Sequence, residues 1–152
     1  MKSLRRLATL LMFGLSLSVV TQAAIAAEDS AESSDAKQRV VYHVADRDKV
    51  AFALNNIRNH IKGVGGSENV DIVLVVHGPA GKMFHEFSTT TRVREAVQEL
   101  RQVGVDFEMC GNTMHAQDVT LDDLLEGFVR VDQGGVVRIA ELQRQGYIYI
   151  RP

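Results

Sequence analysis

The chain has 152 residues, 45% of them hydrophobic, and a formal net charge of −2. That is enough for one domain with a single core. Aromatic residues make up 6% and tryptophan is absent; with no cluster of Lys and Arg, this excludes a nucleic-acid surface, which needs phosphate-binding cations and stacking rings.

Lys2, Arg5 and Arg6 precede an apolar run from Leu7 to Val20, and Ala23-Ala24-Ile25-Ala26-Ala27 follows before Glu28-Asp29. A basic start, a short apolar stretch and an A-x-A arrangement at Ala24 and Ala26 predict a secretory signal peptide over residues 1–26, cleaved after Ala26 or Ala27. The apolar run is shorter than the roughly 18 to 20 residues of a spanning helix, so no membrane association is expected after cleavage. Removing this segment removes three cations and leaves a mildly acidic domain, periplasmic or secreted. Residues 27–38 are rich in Ser, Ala, Asp and Glu without apolar periodicity and read as a disordered linker.

The domain proper is expected over residues 39–152. Arg39 to Val44 reads as a strand, with Asp46 or Asp48 available to cap the next helix. There Val50, Ala53, Leu54, Ile57 and Ile61 recur at helical spacing, and Gly63, Gly65 and Gly66 end the run. Val70 to Val76 is apolar on both parities and largely β-branched, the pattern of a central strand covered on both faces in a parallel sheet. His77-Gly78-Pro79-Ala80-Gly81 reads as a turn, and Met83 to Phe87 as a short helix or a loop. Thr89-Thr90-Thr91 offers caps to a helix whose apolar side is Val93, Ala96, Val97 and Leu100, closed by Gly104.

Val105, Phe107 and Met109 alternate with Asp106 and Glu108 as in a strand, ending at Cys110-Gly111-Asn112, which reads as a turn. Thr120 and Asp123 resemble a capping box opening a short helix with Leu121, Leu124 and Leu125. Phe128 to Val131 is a further strand; Val136, Ile139, Ala140 and Leu142 line a last helix capped by Gly146; Tyr147 to Ile150 is the closing strand. Alternating strands and helices predict a three-layer α/β/α sandwich around a mostly parallel five-stranded sheet. There is no G-x-G-x-x-G and no glycine-rich phosphate loop, so no cofactor is expected. The double glycines Gly65-Gly66 and Gly134-Gly135 read as loop chemistry.

Cys110 is the only cysteine. In an oxidising compartment it cannot staple its own fold, so it is buried and inert, pairs between chains, or reacts. A lone cysteine often serves as a small buried hydrophobe. Carboxyl ends of parallel strands, however, are where reacting groups collect, and that edge would gather His43, His77 and Cys110, with Asn112 and His115 on the loop beyond. A nearby imidazolium or helix start would lower the thiol pKa, and the amides around Gly111 and Asn112 could hold an anion or a terminal sulfur. His43 and His77 could equally be hydrogen-bonded core residues, and His115 a solvated one; His60 and His85 have no assigned role. Asp122-Asp123 and Asp106 with Glu108 read as solvated carboxylates. Cys110, Met114 and His115 together suit copper by ligand type, but copper loops of that order belong to all-β sandwiches, so no metal centre is expected.

Val40 to Val44, Ala53 to Ile57, Val75 to Pro79, Gly104 to Thr113 and Gly146 to Pro152, in that order, resemble the DsrE/DsrF-like proteins over residues 39–152. The resemblance implies the compact α/β fold of that family and assembly into homotrimers or homohexamers. Its characterised members, of the DsrE and TusD type, are sulfur carriers whose cysteine takes up sulfane sulfur as a persulfide. By position the acceptor here is Cys110, with His77, Asn112 and Gly111 in matching blocks and a thiol-containing sulfur donor or acceptor as partner. Those carriers work in the cytoplasm, whereas this chain carries an export signal. The alternative is a binding or assembly module for a small ligand or a metal, with an inert cysteine.

Overall fold

The computed structural model describes residues 37–152. The expected signal peptide and the expected linker as far as Ala36 lie outside the described residues. Five strands, β1 (Gln38–Val44), β2 (Val70–Val76), β3 (Asp106–Cys110), β4 (Phe128–Val131) and β5 (Ile148–Ile150), form one sheet in the order β4-β3-β2-β1-β5, with every neighbouring pair parallel. Four α-helices connect them: α1 (Val50–Gly63), α2 (Thr91–Gln102), α3 (Gly111–Gln117) and α4 (Gly135–Arg144). Among the described residues no helix is long and apolar enough to cross a membrane.

The order of strands dictates which face each helix covers. From β1 to β4 the chain steps one strand at a time toward one edge, so right-handed crossovers put α1, α2 and α3 on the same face. Their apolar residues, Val50, Leu54, Ile57, Val93, Val97, Leu100 and Met114 among them, join Val40, Tyr42, Ile72, Leu74, Phe107 and Met109 in the main core. The last step reverses direction from β4 back to β5 beside β1, and its helix α4 lies on the opposite face. There Ile139 and Leu142 pack on Val41, Val73 and Val75, with Tyr147 at the margin.

Several local expectations hold in detail. Thr90 Oγ1 accepts the Val93 N–H at 3.3 Å and starts α2, and the four residues of its expected apolar side are all buried. Gly146, just past α4, has φ +88, a conformation that suits glycine.

Other expectations are corrected. No Asp caps α1: a 3-10 turn over Arg47–Lys49 intervenes, and the Asp46 carboxylate pairs instead with Arg151 at 3.2 Å. The stretch read as a turn after His77 is a 3-10 helix, Gly78–Phe84, and the ambiguous segment that follows makes an isolated bridge from His85 to Leu124. Asp123 Oδ2 does accept from both the N–H and the hydroxyl of Thr120 at 2.8 Å, but opens only a 3-10 turn, Leu121–Asp123; Leu121 is exposed while Leu124 and Leu125 are buried.

Candidate functional site

Parity along the strands sets which residues share a face. Val41 and Val75 belong to the α4 side, so His43 and His77, each two residues further on, belong there too. Register pairs Val75 with Glu108 across the β2–β3 ladder, which puts Glu108 and then Cys110 on that side as well. His43, His77 and Cys110 therefore stand at the carboxyl edge on one face of the sheet, where topology was expected to bring them.

Cys110 is 6% exposed and lies on the floor of a cleft of about 650 Å³. Its walls come from His77, Gly78 and Pro79 after β2, from Asn112, Thr113, Ala116 and Gln117 of α3, and from Gly134 to Val137 at the start of α4. Arg47 and Lys82 also line it; neither is in an ion pair among the described residues. The thiol is thus both buried and reachable.

Gly135 explains how α4 comes so close. A Cβ there would lie 3.3 Å from the Cys110 Cβ, tighter than most side-chain contacts, and 3.4 Å from the His77 Cβ, at van der Waals contact. Without it, the start of α4 packs against both residues. Burial pushes the Cys110 thiol up, but N–H···S donation from Gly135, Thr113 and Asn112 and donation from the Thr113 hydroxyl outweigh it, leaving the pKa below the ordinary thiol value.

Thr113 was not singled out in the sequence. Its Oγ1 accepts the Gly78 N–H at 2.7 Å, tying α3 to the segment after His77. Gln117 repeats the tie, donating to the Gly78 carbonyl at 2.9 Å while its Oε1 meets His85 Nε2 at 2.9 Å.

Glu108 corrects the reading of a solvated carboxylate. It is 8% exposed and takes a forked pair from Arg138, Nε to Oε2 at 2.8 Å and Nη2 to Oε1 at 2.7 Å. Arg138 lies one turn along α4 from Gly135, so the pair fixes the helix about its axis and keeps the start of α4 against Cys110.

The two strand-end histidines are bonded to each other. His43 Nε2 and His77 Nε2 are 2.6 Å apart, with ring planes 26° from parallel, and His43 Nδ1 meets the Tyr149 hydroxyl at 2.7 Å. Burial, then the neighbouring His77 and Arg151, lower the His43 pKa to about 4 against the opposing pull of Asp46. Burial and Arg151 also lower that of His77, again opposed by Asp46. Both rings are neutral at pH 7.

His115 and the expected loop are corrected together. Gly111 to Gln117 is a helix that begins directly at Cys110, so the residues three or four apart, Thr113, Ala116 and Gln117, face the cleft. His115 is exposed and lines a separate pocket of about 310 Å³ with Asp118, Arg130 and Asp132. Asn112 borders both pockets. Gly111 serves packing, since a Cβ there would meet the Val131 carbonyl at 3.0 Å. Met114 is in the main core, so Cys110, Met114 and His115 diverge and form no copper loop.

The DsrE/DsrF-like family model matches residues 39–152. Among solved structures, the protein of unknown function MTH1491 from Methanobacterium thermoautotrophicum is 34% identical and covers 76% of this chain and 100% of its own, with a TM-score of 0.66. The ychN protein from E. coli, at 13% identity, shares the fold, covering 77% of this chain and 100% of its own with a TM-score of 0.61. No curated protein matches. A match that takes in every strand from β1 to β5 apart from Gln38, the first residue of β1, makes this chain a member of the DsrE/DsrF-like family.

Proposed function

We propose that the protein carries sulfane sulfur as a persulfide on Cys110. The observation that carries this reading is a buried thiol that lines an open cleft walled by the starts of α3 and α4. The Cys110 thiolate attacks the terminal sulfur of a donor R–S–SH; the new S–S bond forms as the donor S–S bond breaks, and R–S⁻ leaves. Discharge is the reverse step, with an acceptor thiolate taking the terminal sulfur and restoring the Cys110 thiolate. The N–H groups of Gly135, Thr113 and Asn112 that favour a thiolate suit a persulfide anion as well.

The working compartment follows from the signal-peptide pattern at residues 1–26: a periplasmic or secreted carrier. The mature amino terminus, read by mass spectrometry, falls at Ala27 or Glu28 on this reading; an uncleaved Met1 overturns it. A homotrimer or homohexamer is the proposed assembly, supported by the exposed Phe52, Phe87 and Val129, and light scattering of the purified chain tests it.

The deciding experiment is intact-protein mass spectrometry after exposure to cysteine persulfide, with and without reductant. A gain of one sulfur that reductant removes, absent in Cys110→Ser, supports the carrier. Equal gain by both proteins overturns it, and a thiol that takes neither sulfur nor iodoacetamide until the chain unfolds moves the reading to a binding module with an inert cysteine.

A further inference from the structure

Tyr149, His43 and His77 are brought from three strand ends by the β5-β1-β2 order, and nothing in the packing of an apolar face requires three polar groups in a row there. The outer end of the row, Tyr149, is 39% exposed, whereas His43 is 7% exposed. The inner end, His77, lines the Cys110 cleft. His77 spends Nε2 on His43, and its Nδ1 has no partner among the described residues. The row thus connects solvent to the cleft through a buried ring.

We propose that Tyr149, His43 and His77 form a proton relay that exchanges protons between solvent and the group reacting with Cys110. The inference rests on the sulfur-carrier reading for its chemistry, and on hydrogen bonds of 2.7 and 2.6 Å for its geometry.

A neutral imidazole has one N–H and one bare nitrogen, so the row is satisfied in two ways. In one, the Tyr149 hydroxyl donates to His43 Nδ1, His43 Nε2–H donates to His77 Nε2, and His77 Nδ1 carries a proton. In the other every bond points outward and His77 Nδ1 is bare. Switching between them moves one proton from end to end without leaving a charge on either buried ring. During loading, His77 Nδ1–H protonates the departing R–S⁻; His77 Nε2 takes the proton of His43 Nε2, His43 Nδ1 takes that of Tyr149, and solvent reprotonates the phenolic oxygen. During discharge the proton of an acceptor thiol leaves by the same path. The lowered histidine pKa values fit, because the relay works only with neutral rings. The charged and titratable groups around it are Asp46 after β1, Arg151 after β5, and Arg47, Lys82 and Cys110 in the cleft.

The test follows persulfide formation on the full chain from cysteine persulfide between pH 5 and 9, in H₂O and in D₂O. Wild type shows a solvent isotope effect of about 2 or more and a rate that falls as the histidines protonate. Tyr149→Phe and His43→Gln lose the isotope effect and about 100-fold or more in rate, the lower end of what general acid–base catalysis supplies. Added imidazole restores part of the rate in His77→Ala. Rates and isotope effects in Tyr149→Phe equal to wild type overturn the relay. His43→Gln removes a buried ring, so its fold is checked by circular dichroism; Tyr149→Phe, which loses only one hydroxyl, keeps the test valid if that variant does not fold.

Should wild type take up no sulfur, the carrier reading fails and the relay is judged separately by ¹⁵N signals of the two rings. Coupled tautomers predict that Tyr149→Phe changes the tautomer balance of His77 as well as His43. A change confined to His43 overturns the relay.

Discussion

The Thr113 hydroxyl oxygen accepts the Gly78 N–H at 2.7 Å, and the same residue draws the Cys110 pKa down. One side chain therefore positions the segment after His77 and favours the thiolate.

Thr113→Val removes both interactions. The Cys110 pKa rises, and iodoacetamide alkylation at pH 7 slows several-fold. The unpaired Gly78 N–H costs about 1 to 3 kcal/mol in urea unfolding. Thr113→Ser keeps the hydroxyl and stays near wild type in alkylation; equal alkylation rates for Thr113→Val and wild type contradict this account.

Gly135→Ala separates reactivity from stability. The added methyl stands against Cys110 and His77 and moves the sulfur off the Gly135 N–H, so alkylation slows and its pH midpoint rises. Alanine is the better helix former by up to about 1 kcal/mol, which offsets the crowding and keeps the melting temperature within a few degrees.

Arg138→Met leaves the Glu108 carboxylate buried and unpaired, at a cost of about 3 kcal/mol in urea unfolding. The double variant Glu108→Gln with Arg138→Met recovers much of that stability, because no charge is left behind. Additive losses in the double variant would show that the two residues do not act on each other.

His43 gives the fold a pH dependence. Its folded pKa of about 4 lies below the unfolded value near 6.5. Above pH 6.5 the stabilisation is fully present; as pH falls toward 4 the unfolded chain binds a proton that the folded chain refuses, and stability is lost. The loss approaches about 2 to 3 kcal/mol and levels off below pH 4. Urea unfolding from pH 7 to 4.5 measures it, and His43→Gln flattens the curve.

Arg47 and Lys82 are the positively charged side chains that line the cleft. Replacing both with Gln lowers the rate of sulfur uptake from thiosulfate several-fold at low salt, with little change near 1 M salt, where charges beyond about 3 Å are screened. The same variant reacts with iodoacetamide, an uncharged probe, as wild type does, since neither cation is among the groups that shift the Cys110 thiol.

The fold was legible because its signals are local. β-Branched runs such as Val70 to Val76 and the Thr90 cap with its Val93, Ala96, Val97 and Leu100 face announce themselves within a few residues. The carboxyl-edge placement of His43, His77 and Cys110 followed from topology alone. What could not be read depends on partners remote in sequence. Glu108 alternates as a solvated residue would, yet its face lies under α4 and its partner is Arg138. The one available signal was an acidic residue inside a strand of a sheet expected to be covered on both sides. Gly111-Asn112 looked like a turn because the composition of a turn and of a helix start that must pass close to Val131 is the same. Tyr149 joined His43 only through the return of β5 to β1.

That return governs when the molecule becomes competent as it folds. β5 covers Val40 to Tyr42, three of the seven residues of β1, and it docks only after α4 has crossed the sheet, a pairing of first strand with last that closes slowly because the loop is long. A chain halted one strand short already has the β3 thiol in place, but His43 has no tyrosine and the flank of β1 is open, a template for a strand from another molecule. The pairing of His43 with Tyr149 and protection from aggregation thus arrive in the same late event.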